Sequence, residues 1–180
     1  MVVRALEFLA SHPLVKLPFV VHPISGTTVF HALCNHGEFR RIGTDDESWL
    51  ACFKILAGVF PGASMLNRLD KQRATPLHYA IRHANPLAVE TLLKHGADPI
   101  TMETTVAGAL EAFANGTAKQ DDYGPMPPVM LAKLGLFFEI PDYISSQPEE
   151  CAKWLDRRRR VTQLMEPYLF EFVVKYEEGL

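Results

Sequence analysis

The chain has 180 residues, enough for one compact domain or one short repeat array. Its 48% hydrophobic and 22% charged residues exclude an intrinsically disordered chain, and a net charge of -3 gives no reason to expect a nucleic-acid or membrane partner. Cys34, Cys52 and Cys151 are widely spaced, form no C-x-x-C pair for structural zinc, and read as reduced thiols of an intracellular protein.

Residues 2–12 (VVRALEFLASH) have the rhythm of an amphipathic helix. Arg4, Glu7, His12 and Lys16 interrupt the apolar run, so the segment does not read as a secretory signal. No stretch reaches the ~20 uncharged apolar residues that span a bilayer, and a cytoplasmic or nuclear location is expected. Leu14–His22, broken by Pro18, is expected to be loop or short extended chain, and residues 1–22 form an N-terminal cap. From residue 23 a glycine turn (Gly26) leads to a helix over Val29–Leu33 with Thr28 as its cap. The polar stretch Glu38–Glu47 (EFRRIGTDDE) reads as a loop insertion. Trp49, Leu50, Phe53, Ile55 and Leu56 supply a second helix, and Gly62-Ala63-Ser64 ends the unit.

Residues 70–99 (DKQRATPLHYAIRHANPLAVETLLKHGADP) are the clearest segment. Thr75 is a good N-cap, and Pro76 stands at the first helical position, where its missing N–H costs nothing. Leu77, Ala80 and Ile81 mark one helical face, and Ala84-Asn85-Pro86 stops that helix. Val89, Leu92 and Leu93 line a second helix, which ends at Gly96. Two short helices and a turn cannot bury a core alone, so the unit calls for packed neighbours.

Thr75-Pro76-Leu77-His78, Gly96-Ala97-Asp98 and the turn residue Asp70 resemble the ankyrin repeat. Gly26-Thr27-Thr28 with His31, and Gly62-Ala63-Ser64, resemble a second, longer unit over 23–69 with its insertion at 38–47. Arg73 and Ala84 depart from the family, which has glycine at both places. The upstream unit keeps glycine there as Gly26 and Gly37, and the departures imply an altered backbone, because both side chains resist positive φ. The resemblance implies an all-α solenoid of stacked helix pairs with hairpin-like loops and helical caps.

Downstream, residues 100–140 are expected to hold a degenerate repeat. Its helix at 105–114 is followed by a loop at 117–128, and a helix over Val129–Phe138 pairs with the first. Residues 141–180 read as a C-terminal helical cap. Ser146 with Glu149 makes a capping box, and a stripe runs through Trp154, Leu155, Val161, Leu164, Met165, Tyr168, Leu169, Phe172, Val173 and Tyr176. Pro167 is expected to kink that helix or divide it.

No nucleophile elbow, phosphate loop or dinucleotide fingerprint occurs, so no enzymatic activity and no cofactor is expected. His31, Cys34 and His36 suggest soft-metal chemistry, but helical geometry turns residues 31 and 36 to different faces, and no metal site is expected. The resemblance gives Thr28, His31, Thr75, Pro76, His78 and Gly96 structural roles, the histidines tying adjacent hairpins together. It implies a protein-interaction module that binds a partner protein on its concave surface. There Lys71, Gln72, Ala74, Arg82, His83, Ile24, Ser25, Thr27, Asn35 and His36 are the expected contacts. Lys71 and Arg82, with Arg73 beside them, fit an acidic partner segment and no small-molecule substrate. The alternative is a regulatory subunit that holds nucleic acid or anionic lipid through Arg157–Arg160. Four consecutive helical arginines sweep around the axis and bring Arg158 to the apolar stripe, where it must snorkel, pair or meet a partner.

Overall fold

A computed structural model describes residues 21–35, 45–60, 62–100, 127–134 and 147–178. Among these the regular structure is entirely helical: α1 (Val29–Cys34), α2 (Asp46–Val59), α3 (Pro76–Arg82), α4 (Pro86–Lys94), α5 (Pro128–Leu134) and α6 (Pro148–Glu178). The expected helices at 2–12 and 105–114 and the loop at 117–126 lie outside the described residues.

Local sequence explains where each helix starts and stops. Thr28 and Thr75 head α1 and α3 in capping boxes whose return partner is a histidine, His31 or His78. Asp45 heads α2 by accepting the Ser48 backbone N–H at 2.7 Å, a hydrogen bond that holds its carboxyl below the usual range. Asp46 and Glu47 therefore belong to the first turn of α2 and not to the insertion expected over 38–47, of which residues 38–44 are not described. Asn85 caps α4 from the Ala88 N–H.

Both helices of the 70–99 unit end alike. The Ala97 N–H reaches the Leu92 carbonyl and the Gly96 N–H that of Leu93, around Gly96 at φ 89°. The Asn85 N–H reaches the Ala80 carbonyl and the Ala84 N–H that of Ile81, around Ala84 at φ 48°. Arg73 sits at φ 64° in the three-residue loop closed by the Asp70 N–H on the Ala74 carbonyl. The departures at Arg73 and Ala84 thus do not alter the backbone. The left-handed conformation persists and the side chains bear its strain, of order 1–2 kcal/mol per residue. At Ala84 burial offsets this, because the methyl is fully buried in a small cluster with Trp154 of α6. Arg73 is exposed and lacks that compensation. Arg73→Gly is expected to raise stability by roughly 0.5–1 kcal/mol. Urea denaturation checks this, and an unchanged or lower midpoint would count against strain at this turn.

The helices pack in a regular order. α1 pairs with α2 and α3 with α4, α1 lies against α3, α3 against α5, α4 against α6, and α5 against α6. Hence α5 lies against α3 and α6, and α6 lies beside α4. The helix expected over 129–138 is described over its first part as α5, and its expected partner at 105–114 lies outside the described residues. One core runs through these layers, from Phe30, Leu33, Trp49 and Phe53 through Leu77, Ile81, Val89 and Leu92 to Val129, Leu131, Val161 and Met165.

The capping box expected at Ser146 falls on a residue outside those described, and near the start of α6 the Cys151 N–H bonds the Gln147 carbonyl. α6 differs from expectation in two ways. It continues through Pro167, which is exposed, so the proline does not divide the helix. Its buried face is Trp154, Arg158, Val161, Met165 and Phe172, whereas Leu155 and Val173 lie outside the core.

Candidate functional site

The hairpin turns before α1 and α3 meet edge to edge. In the first, the His22 N–H bonds the Thr27 carbonyl (2.8 Å) and the Gly26 N–H bonds the His22 carbonyl (2.7 Å). This loop is one residue longer than the Asp70–Ala74 loop. Gly26 is required twice over: its φ is 73°, and a Cβ there would stand 3.0 Å from the Lys71 nitrogen. Lys71 spans the junction, its N–H donating to the Ser25 carbonyl (2.8 Å) and its ammonium to the Pro23 carbonyl (3.0 Å).

Beneath the turns, His31 forms the second junction. The Thr28 N–H donates to its Nδ1 at 2.9 Å, and the Thr28 hydroxyl lies 2.8 Å from the same atom. Nδ1 is therefore the acceptor, and Nε2 carries the proton that it donates to the Ala74 carbonyl at 2.9 Å. Burial lowers the His31 pKa, against smaller raising effects of the Ala74 hydrogen bond and the nearby Asp70 charge. His78 repeats the inner half of this arrangement, with the Thr75 N–H on its Nδ1 at 3.0 Å and the Thr75 hydroxyl at 2.8 Å. The buried Asp70 carboxylate accepts the Gln72 and Ala74 N–H groups on one oxygen and the Tyr79 hydroxyl (2.8 Å) on the other. The Tyr79 ring in turn packs edge-on to His31, with 5.3 Å between centroids.

An ankyrin-repeat family model matches residues 72–103. The chain carries an ankyrin repeat over those residues. No curated protein and no solved structure matches the chain. The match ties the Thr75–His78 start and the Gly96–Asp98 close to that repeat, and the helix pair between them is the geometry described above.

The expected contact residues of the ankyrin surface divide into groups. Lys71, Gln72, Arg82 and Ile24 are exposed, Ile24 at 77%. Ser25, Thr27, His83 and Asn35 are half-buried. Ser25 and Thr27 hydroxyls bond each other at 2.7 Å, and His22 Nδ1 lies 3.0 Å from that of Ser25, a chain that stiffens the tip. Ala74 is a correction. Its side chain is fully buried, and its N–H and carbonyl serve Asp70 and His31, so it offers a partner nothing. His36 lies outside the described residues.

Asn67 was not singled out from the sequence, yet it bridges the two units on the far side. Its amide donates to the Gly96 carbonyl (3.1 Å) and its oxygen accepts the Asp98 N–H (2.7 Å). A lone loop asparagine carries no signal that distinguishes such a bridge from a solvated side chain.

Two residues of the His31–Cys34–His36 cluster are described, and both are committed to the fold. Cys34 is fully buried and burial drives its thiol pKa upward, the direction opposite to that of an activated nucleophile. Both His31 ring nitrogens are engaged within the fold, and no group of three metal-ligating side chains occurs among the described residues. The arginine run is divided by the helix. Arg158 is buried with its guanidinium 5.2 Å from the centre of the Trp154 ring, and burial pushes its pKa down to about 10. Arg157 is half-buried, which leaves Arg159 and Arg160 exposed. No helix among the described residues is long and apolar enough to cross a membrane.

Proposed function

We propose that this chain is a protein-interaction module that binds a partner protein through its hairpin tips and the exposed positions of α1 and α3, with no chemistry of its own. In this reading the helix pairs form a short ankyrin solenoid in which α5 and α6 supply the last layer. The observation that carries it is the double junction made by Lys71 and by His31 with Ala74, which fastens neighbouring hairpins into one rigid face. A preformed face limits the ordering cost of association. Ile24 stands on that face as an exposed apolar anchor, and Lys71, Arg73 and Arg82 give it a basic character suited to an acidic segment of the partner. The free cysteines, two of them buried, suit a cytoplasmic or nuclear setting.

The test compares wild type with Ile24→Asp/Arg82→Glu in affinity capture from lysate, after circular dichroism has shown equal folding. A partner retained by wild type and lost by the variant supports the reading. A partner that binds both equally moves the interface elsewhere and defeats the assignment to this face.

A further inference from the structure

The large exposed hydrophobic residues among those described are Ile24, Leu155, Phe170 and Val173, and three of these belong to α6. At 100° per residue, Leu155 and Val173 fall on one line of the helix about five turns apart, with Phe170 roughly 60° to its side. Arg159 and Glu166 project between them. The core-facing line of Trp154, Val161, Met165 and Phe172 points about 100° away. α6 therefore bears a second, outward stripe with apolar ends and a cation and an anion inside: Leu155, Arg159, Glu166, Phe170, Val173.

We propose that this stripe pairs antiparallel with the same stripe of a second copy of the chain. A two-fold axis level with residue 164 sets Leu155 against the partner subunit's Val173, and Arg159 against the partner subunit's Glu166 and Phe170. Charge selects this occupant. Residues 148–160 carry five cations and three anions, and residues 161–178 carry four carboxylates and one cation, so the first half is net basic and the second net acidic. Antiparallel helices bring each basic half onto an acidic half, whereas parallel helices set like charges together. An anionic lipid surface meets repulsion along the acidic half, and an acidic peptide matches only the basic half. Arg159 is free to turn toward a partner, because its contact with Asp156 is long (3.9 Å) and both side chains are well exposed. The stripe lies away from the hairpin tips, so pairing stands apart from the partner binding proposed above.

Sedimentation equilibrium of the full chain, from about 1 to 100 µM, tests the pairing. The expected result is a monomer–dimer equilibrium within that range, weakened by salt. Phe170→Glu should weaken it at least about tenfold without lowering the melting temperature of the dilute monomer, since Phe170 is 77% exposed in the single chain. Arg159→Glu and Glu166→Arg should each weaken it, and the two together should restore it, because each charge meets its opposite on the other copy. A monomer throughout the range overturns the proposal, as does a dimer indifferent to Phe170→Glu. Monomeric protein that binds phosphatidylserine vesicles, and loses them on Phe170→Glu, assigns the stripe to lipid and overturns it equally.

Discussion

Phe53→Ala is expected to lower stability by about 3–5 kcal/mol, a loss that for a chain of this size moves the melting temperature by roughly 6–20 °C. Phe53 is fully buried at the meeting point of three elements. Its ring stacks on Trp49 of α2 (5.6 Å between centroids), meets Phe30 of α1 edge-on (5.7 Å) and receives His95 from the end of α4 (4.8 Å). Truncation loses the transfer energy of the ring and leaves a cavity between two helix pairs, each pinned by separate hydrogen bonds. His31 and Asn67 hold the pairs on opposite sides, so the gap cannot close by a simple slide. Trp49 is fixed as well, its indole N–H donating to the Leu33 carbonyl at 2.8 Å. Phe170→Ala serves as the control, since its exposed ring contributes little to folding and the expected change is within ~0.5 kcal/mol. Comparable melting shifts in the two variants would mean that Phe53 does not sit at the junction of the fold.

The 70–99 unit was legible in the sequence because its signals act locally. Thr75 before Pro76, Asn85 before Pro86 and Gly96 at the end of α4 each favour one backbone geometry whatever surrounds them. What depended on packing was read less well. Arg73 and Ala84 were judged on intrinsic φ preference, and the hydrogen-bonded turns around them override it. On α6, hydrophobicity alone put Leu155 in the core. Arg158 is buried beside Trp154, as the sweep of the arginine run around the axis implies, whereas Leu155, one residue away, turns outward. The place taken by α5 was illegible for a different reason. A seven-residue helix whose one polar residue is Lys133 has too narrow a polar face to fix its place, and its neighbours α3 and α6 decide where it goes. Within the candidate site, the resemblance points to the tip residues, but whether a side chain projects or tucks in follows from the hairpin junction, which buries Ala74.

His31→Ala is expected to cost about 3 kcal/mol or more and to flatten the acid limb of the stability profile. The side chain is fully buried, and its removal strands the Thr28 N–H, takes from the Ala74 carbonyl one of its two donors and opens a cavity beside Tyr79. A stranded buried N–H costs about 1–3 kcal/mol, and the cavity adds to that. The pH dependence follows from the same geometry. A proton added to Nδ1 would face the Thr28 N–H, donor against donor, and burial disfavours the cation, so the folded-state pKa lies below 6.5. The unfolded chain then binds the proton first. Stability contributed by the neutral ring is fully present above pH 6.5 and falls as the pH drops from there toward the folded-state pKa, with a slope of up to about 1.4 kcal/mol per pH unit. Urea denaturation at a series of pH values between neutrality and mild acid separates this ring from the other histidines, because their contribution survives in the variant. Wild type should lose stability more steeply than His31→Ala over that interval. Parallel curves would show that the ring does not enter the fold as a neutral connector, and the junction between the two hairpins would then have to rest on Lys71 alone.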